Sequence, residues 1–217
     1  MRFSRFFLSL SVLAALGTAA NVAEAAPKGK AGEEKKLPKI EATGISEFDS
    51  VFMEAKGIHD ILDAEDGKLK EARKQVAVAL GVAEDQPLKT AFEELKKKAN
   101  GKIKVALKGK MPRLEASEAI PENVQTGIDA VNKLLDVAEA GADQAEKLGP
   151  KAESLGQACA DFPDRLTKMG LDPMKLAGAT PKVLSNTKAT GATYDRVKRL
   201  GETTVGVATD VKSTFGE

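Results

Sequence analysis

Residues 121–169 read PENVQTGIDAVNKLLDVAEAGADQAEKLGPKAESLGQACADFPDRLTKM, and within them Val124, Ile128, Val131, Leu135, Ala138, Ala142, Ala145, Ala152, Cys159, Leu166 and Met169 keep a three-and-four spacing. An α-helix turns once in about 3.6 residues, so this spacing lines one helix face with apolar side chains. The phase survives across Gly149-Pro150. An interior proline removes one backbone hydrogen bond and costs about 3 kcal/mol without necessarily ending a helix, so one long kinked helix or two helices stacked end to end are expected.

The same spacing recurs upstream in Phe48, Phe52, Ala55, Ile58 or His59, Leu62, Leu69, Ala72, Val76 and Leu80. Ser46 is placed as the N-cap, with Glu47 and Asp49 favourable at the positive end of the helix. Glu65 and Asp66 interrupt the stripe and Gly67 follows, which predicts a kink or break there. A short helix is expected after Asp85 and Pro87, carrying Leu88, Ala91, Phe92 and Leu95 and closed by Asn100-Gly101.

The period then changes to two. Ile103, Val105 and Leu107 alternate with Lys102, Lys104 and Lys108, the pattern of a half-exposed strand, and Gly109-Lys110 can turn it back into a second strand over 113–117. Beyond a turn-rich stretch at 170–180, Pro181 is expected to open a final helix with the stripe Val183, Thr187, Thr190, Tyr194, Val197, Gly201, Thr204, Ala208, Val211 and Phe215. Together these segments predict a mainly α protein: an elongated antiparallel bundle of three to four long helices, one short helix and a small β-hairpin near 102–117.

The N-terminal segment has a different character. Arg2 and Arg5 precede an apolar run over 6–16 and a small-x-small site at Ala23-Glu24-Ala25, the three parts of a cleavable secretory signal. The apolar run falls short of the roughly 20 residues that span a bilayer. Residues 26–43, with Pro27, Gly29, Gly32 and Pro38, read as a disordered leader, leaving 44–217 as one helical domain. The expected address is the periplasm or the exterior of the cell.

Removing Arg2, Arg5 and Glu24 with the signal takes the 33 basic and 32 acidic residues to 31 of each, so overall charge gives no argument for a nucleic-acid partner. The single cysteine excludes an internal disulfide. With no Trp, one Tyr and only five of the eight Phe beyond the signal, stability has to come from narrow seams of Ala, Val, Leu, Gly and Thr. Such seams let helix backbones approach closely but remove little apolar area per position.

Candidate chemistry is sparse. His59, the only histidine, shares a helical face with Asp63 and Asp66, but Lys56 stands where a di-iron helix would place its carboxylate, and Asp63 to Gly67 lacks the calcium-loop spacing. A solvated acidic patch is the simpler expectation. Cys159 falls within an apolar stripe, as a buried structural thiol does. The chain has no phosphate-binding Gly-Lys loop, no dinucleotide fingerprint and no serine elbow. No catalytic, metal-binding or cofactor-binding residues are expected, and no enzymatic activity.

One local feature rises above this background: the basic stretch Lys96, Lys97, Lys98, Lys102, Lys104, Lys108, Lys110 and Arg113. On a strand, Lys102, Lys104 and Lys108 point to one side, a ridge suited to an acidic protein face, anionic lipid headgroups or envelope polysaccharide. The alternative is that these lysines solvate an exposed face and guard an edge strand against pairing. Two functional expectations follow. The first is a non-enzymatic exported protein acting by protein–protein contact, as scaffold, adaptor or chaperone-like module, with another protein or a second copy as partner. The second is peripheral binding to a membrane or lipid surface through the basic hairpin and an amphipathic C-terminal helix.

Overall fold

A computed structural model describes residues 38–216. The expected signal at 1–25 and leader residues 26–37 lie outside the described residues. Eight elements follow in order: α1 (Ser46–Leu80), α2 (Leu88–Ala99), β1 (Ile103–Lys108), β2 (Met111–Ala116), α3 (Glu122–Cys159), α4 (Phe162–Lys168), α5 (Pro173–Gly191) and α6 (Thr193–Phe215). The fold is mainly α, with four long helices and one two-stranded antiparallel sheet.

Three rods make the bundle. α1 runs antiparallel to α3: Leu80 approaches Gly127 at one end, and Glu54 pairs with Lys151 at 2.6 Å and Glu47 with Arg165 toward the other. The third rod is α5 followed by α6, also antiparallel to α3, with Gly191 beside Gly156 and Thr204 beside Gly141. The expected small-residue seam lies here. A Cβ on Gly141 would come within 3.0 Å of Thr204 Cγ2, so the glycine is what permits the close approach. Toward the ends of the rods, Phe48 stacks on Phe162 at 4.3 Å and Phe92 meets Phe215 at 6.3 Å. All five of these phenylalanines, Phe52 included, are buried.

Several local expectations change. α1 passes through Gly67 unbroken, with Glu65 in the core position between Leu62 and Leu69 and itself buried. Ser46 is the first helical residue, not the cap; Ile45 is the cap residue, and Asp49 reaches back to accept from the Thr43 N–H and hydroxyl, each at 2.7 Å, and from the Gly44 N–H at 3.0 Å. At the far end Gly81, at φ 69°, turns the chain left-handed, and Val82 N–H returns to the Ala77 carbonyl at 3.0 Å.

The long segment is one helix through Pro150 that ends at Cys159, with α4 a separate element; Met169 is exposed and takes no part in the stripe. The last helix opens at Pro173, not Pro181. Asp172 caps it by accepting from Met174 N–H at 2.8 Å and Lys175 N–H at 3.2 Å, leaving Pro181 inside the helix. Proline suits the first helical position, where its missing N–H costs nothing. Ala192 then divides the stripe into α5 and α6.

Of the leader expected to be disordered over 26–43, residues 38–43 are described, and they are tied down. Ile40 is buried, and Asn186 accepts from Glu41 N–H at 3.1 Å while donating to its carbonyl at 2.6 Å.

Candidate functional site

The hairpin pairs Lys108 with Met111, Ala106 with Arg113 and Lys104 with Glu115 across a two-residue Gly109-Lys110 turn. Gly109 sits at φ +72°, a conformation glycine adopts at little cost and one that matches the twist of a tight hairpin. β2 therefore starts at Met111, two residues before the expected position.

A lone hairpin is marginal in water. This one is held along α3 by a row of side chains. Asn132 accepts from Leu114 N–H at 2.8 Å and donates to its carbonyl at 2.9 Å, standing in for a neighbouring strand on the outer edge of β2. One helical turn on, Arg113 joins Asp136 at 2.6 Å and Glu139 at 3.0 Å, with its side chain only 13% exposed. Glu139 also accepts from Lys110 N–H at 2.9 Å, and Lys110 Nζ meets Asp143 at 2.7 Å and Glu146 at 3.6 Å. Positions 136, 139, 143 and 146 share one helix face, so the acids form a ladder under the turn. Hydrogen bonding to Asp143 raises the Lys110 pKa above its usual value.

The basic stretch is consequently divided. Lys110 and Arg113 face the acids of α3. Lys97 pairs with Glu94 at 2.7 Å, and Lys98 donates to the Leu80 carbonyl at 2.7 Å, closing the C-terminus of α1. Lys96 is half-buried on α2. Lys102 lies 3.5 Å from Glu118 and Lys104 3.5 Å from Glu115, and Lys108 makes no ion pair among the described residues. Only Lys102, Lys104 and Lys108 form the expected row.

The feature that composition did not reveal is the free edge of β1. In an antiparallel pair, successive residues point their backbone groups alternately toward and away from the partner strand. Ser117 N–H bonds to the Lys102 carbonyl at 2.9 Å, which sets the phase. Lys104, Ala106 and Lys108 thus face β2, while Ile103, Val105 and Leu107 turn their N–H and C=O groups outward. Among the described residues nothing hydrogen-bonds to those outward groups. Ile103 and Val105 pack their side chains on the core, whereas Leu107, opposite Pro112, is 69% exposed.

His59, Asp63, Asp66 and Cys159 make contacts within the bundle. His59 is buried, and its Nε2 meets Thr193 Oγ1 at 2.8 Å at the start of α6; burial, aided by the Arg196 charge, lowers its pKa. Asp63 and Asp66 turn to Arg196, at 2.6 and 3.6 Å. Cys159 is a buried free thiol whose pKa burial pushes up. No cluster of three or more His, Cys, Asp or Glu side chains suited to a metal ion occurs among the described residues. A cleft of about 320 Å³ beside the α1–α2 loop is lined by Arg73, Glu84, Asp85 and Asp210 but by no histidine, cysteine or hydroxyl side chain. No described helix is long and apolar enough to cross a membrane.

No family model matches the chain, and comparison with curated proteins and with solved structures found no match either.

Proposed function

We propose that this chain is an exported helical protein that acts through protein–protein contact, as a scaffold, adaptor or chaperone-like module, and performs no catalysis of its own. The observation that supports this reading is the hairpin: a side-chain row on α3 holds β2, while the outer edge of β1 carries backbone groups that nothing among the described residues pairs, beside an exposed Leu107. Unpaired strand edges are templates for another chain. Surface binding to lipid has less support. The apolar face of α6, with Val197, Leu200, Val207 and Val211, lies in the core, so a membrane would have to extract it.

Site-specific photo-crosslinking in the cells that make the protein tests this. A benzophenone side chain at Leu107 is expected to give discrete protein adducts, and one at Met174, which is 86% exposed on α5, is not. Adducts to lipid alone at position 107, or equal labelling at both positions, would overturn the proposal.

A further inference from the structure

We infer that β1 accepts, as a third strand, an extended segment of another protein in which carboxylates alternate with apolar residues. This rests on the contact reading above and specifies the chemistry of its partner. The outward N–H and C=O groups of Ile103, Val105 and Leu107 supply a register for such a strand. Side chains then alternate between two faces. On one lie Lys104, Ala106 and Lys108, and on the other Ile103, Val105 and Leu107. An incoming strand therefore meets ammonium groups at every fourth residue on one face and an apolar row on the other.

Charge separates this occupant from a second copy of the chain. β1 carries no acidic residue, and two β1 edges paired with their lysine faces on the same side bring Lys102, Lys104 and Lys108 against one another. Like charges directly opposite in a sheet are destabilising. The same lysines attract an acidic strand, and Lys108, which has no ion pair among the described residues, gains one without losing another. Leu107 lies beside Lys108, and covering it removes exposed apolar surface from water.

The probe is a fluorescein-labelled dodecapeptide of alternating glutamate and valine, added to the full-length chain at low ionic strength. Three controls accompany it: a lysine–valine peptide, oligoglutamate, and phosphatidylglycerol vesicles. Fluorescence anisotropy reads affinity, and NMR reads amide exchange. The glutamate–valine peptide is expected to bind and to slow exchange at Val105 and Leu107, leaving Lys104 and Ala106 unchanged because they already bond to β2. Leu107→Pro removes one outward N–H and spares the ladder, as Pro112 does across the hairpin. It is expected to weaken binding about tenfold, the effect of one hydrogen bond and its flanking contacts, with an unchanged thermal melt.

The pair Lys104→Glu and Lys108→Glu is expected to transfer binding from the glutamate–valine to the lysine–valine peptide. Equal binding of oligoglutamate, binding of vesicles in place of the peptide, or indifference to Leu107→Pro would each overturn the third-strand proposal. Protein adducts at position 107 combined with any of these would leave the contact reading standing. Edge-protecting peptide binding without protein adducts in cells would have the opposite meaning, retaining the edge chemistry and removing the cellular contact.

Discussion

Replacing Glu65 by Met is expected to stabilise the protein. Glu65 occupies a core position of α1 between Leu62 and Leu69 and is 5% exposed. Its Oε1 accepts from Lys68 Nζ at 2.7 Å, but its Oε2 is buried with no hydrogen-bond partner among the described residues. Leaving a buried acceptor unsatisfied costs about 1–3 kcal/mol, and more when it is charged. The compensating ion pair is weak, since the Lys68 side chain is 60% exposed and an i,i+3 pair in water contributes about 0.3–0.5 kcal/mol. Methionine matches glutamate in length and is flexible enough to follow the same slot. The balance favours Glu65→Met by about 1–2 kcal/mol, a rise in Tm of roughly 2–8 °C for a chain of this size. Urea and thermal unfolding followed by far-UV circular dichroism measure it. Lys68→Met, which strips the carboxylate of its one ion-pair partner among the described residues, is expected to shift stability the other way. Glu65→Met melting below the parent while Lys68→Met is neutral would refute the expected gain.

Gly127→Ala is expected to cost about 1–2 kcal/mol in urea denaturation, because its Cβ would meet Leu80 Cδ2 at 2.7 Å and Leu95 Cδ1 at 2.9 Å. Gly57→Ala, with nothing within 4 Å of the new methyl group, is expected to gain about 0.5–1 kcal/mol from helix propensity alone. Burial and the Arg196 charge place the His59 pKa below its unfolded value of about 6.5. The unfolded chain therefore takes up the proton first, and stability is expected to fall as pH drops below about 6.5, with a shallower fall in His59→Gln. At Asp49, burial raises the pKa but is outweighed by hydrogen bonds from Thr43 and Gly44 and by the Lys182 charge, so the net shift is downward. That stability is present above about pH 4 and lost as pH falls through the folded value, so Asp49→Asn is expected to cost about 1 kcal/mol at neutral pH and nothing in strong acid.

The three-and-four spacing located every long rod because helix burial is a property of one face, and that face is written residue by residue. Val124, Ile128, Val131, Leu135 and Ala138 are all buried as their spacing requires. Boundaries were less legible where two local signals compete. Pro181 looks like a helix start until Asp172-Pro173 is recognised as the stronger one, an acidic cap followed by proline at the first helical position. Gly67 looks like a breaker, yet the cost of one glycine, about 1 kcal/mol, is small beside the packing of Leu62 and Leu69 on either side. Glu47 and Asp49 were legible as acids at the positive end of α1. That Asp49 also closes the turn before it depended on residues 43 and 44 folding back, which no spacing records.

The candidate site was legible in kind but not in geometry, and the reason lies in α3. A list of lysines and one arginine between 96 and 113 carries no information about where their counter-charges sit, and Asp136, Glu139, Asp143 and Glu146 are more than 20 residues away. Once the hairpin lies on α3, Arg113 and Lys110 become its fastening, leaving Lys104 and Lys108 on the opposite strand. The division follows from the hairpin itself. A two-stranded sheet has two outer edges: Asn132 takes that of β2, and among the described residues nothing hydrogen-bonds to that of β1. Under the third-strand proposal, charge then sets what the edge admits: lysines at 104 and 108 would oppose a copy of themselves and favour an acidic strand, so protection from self-association and selection of a partner would arise from the same two side chains.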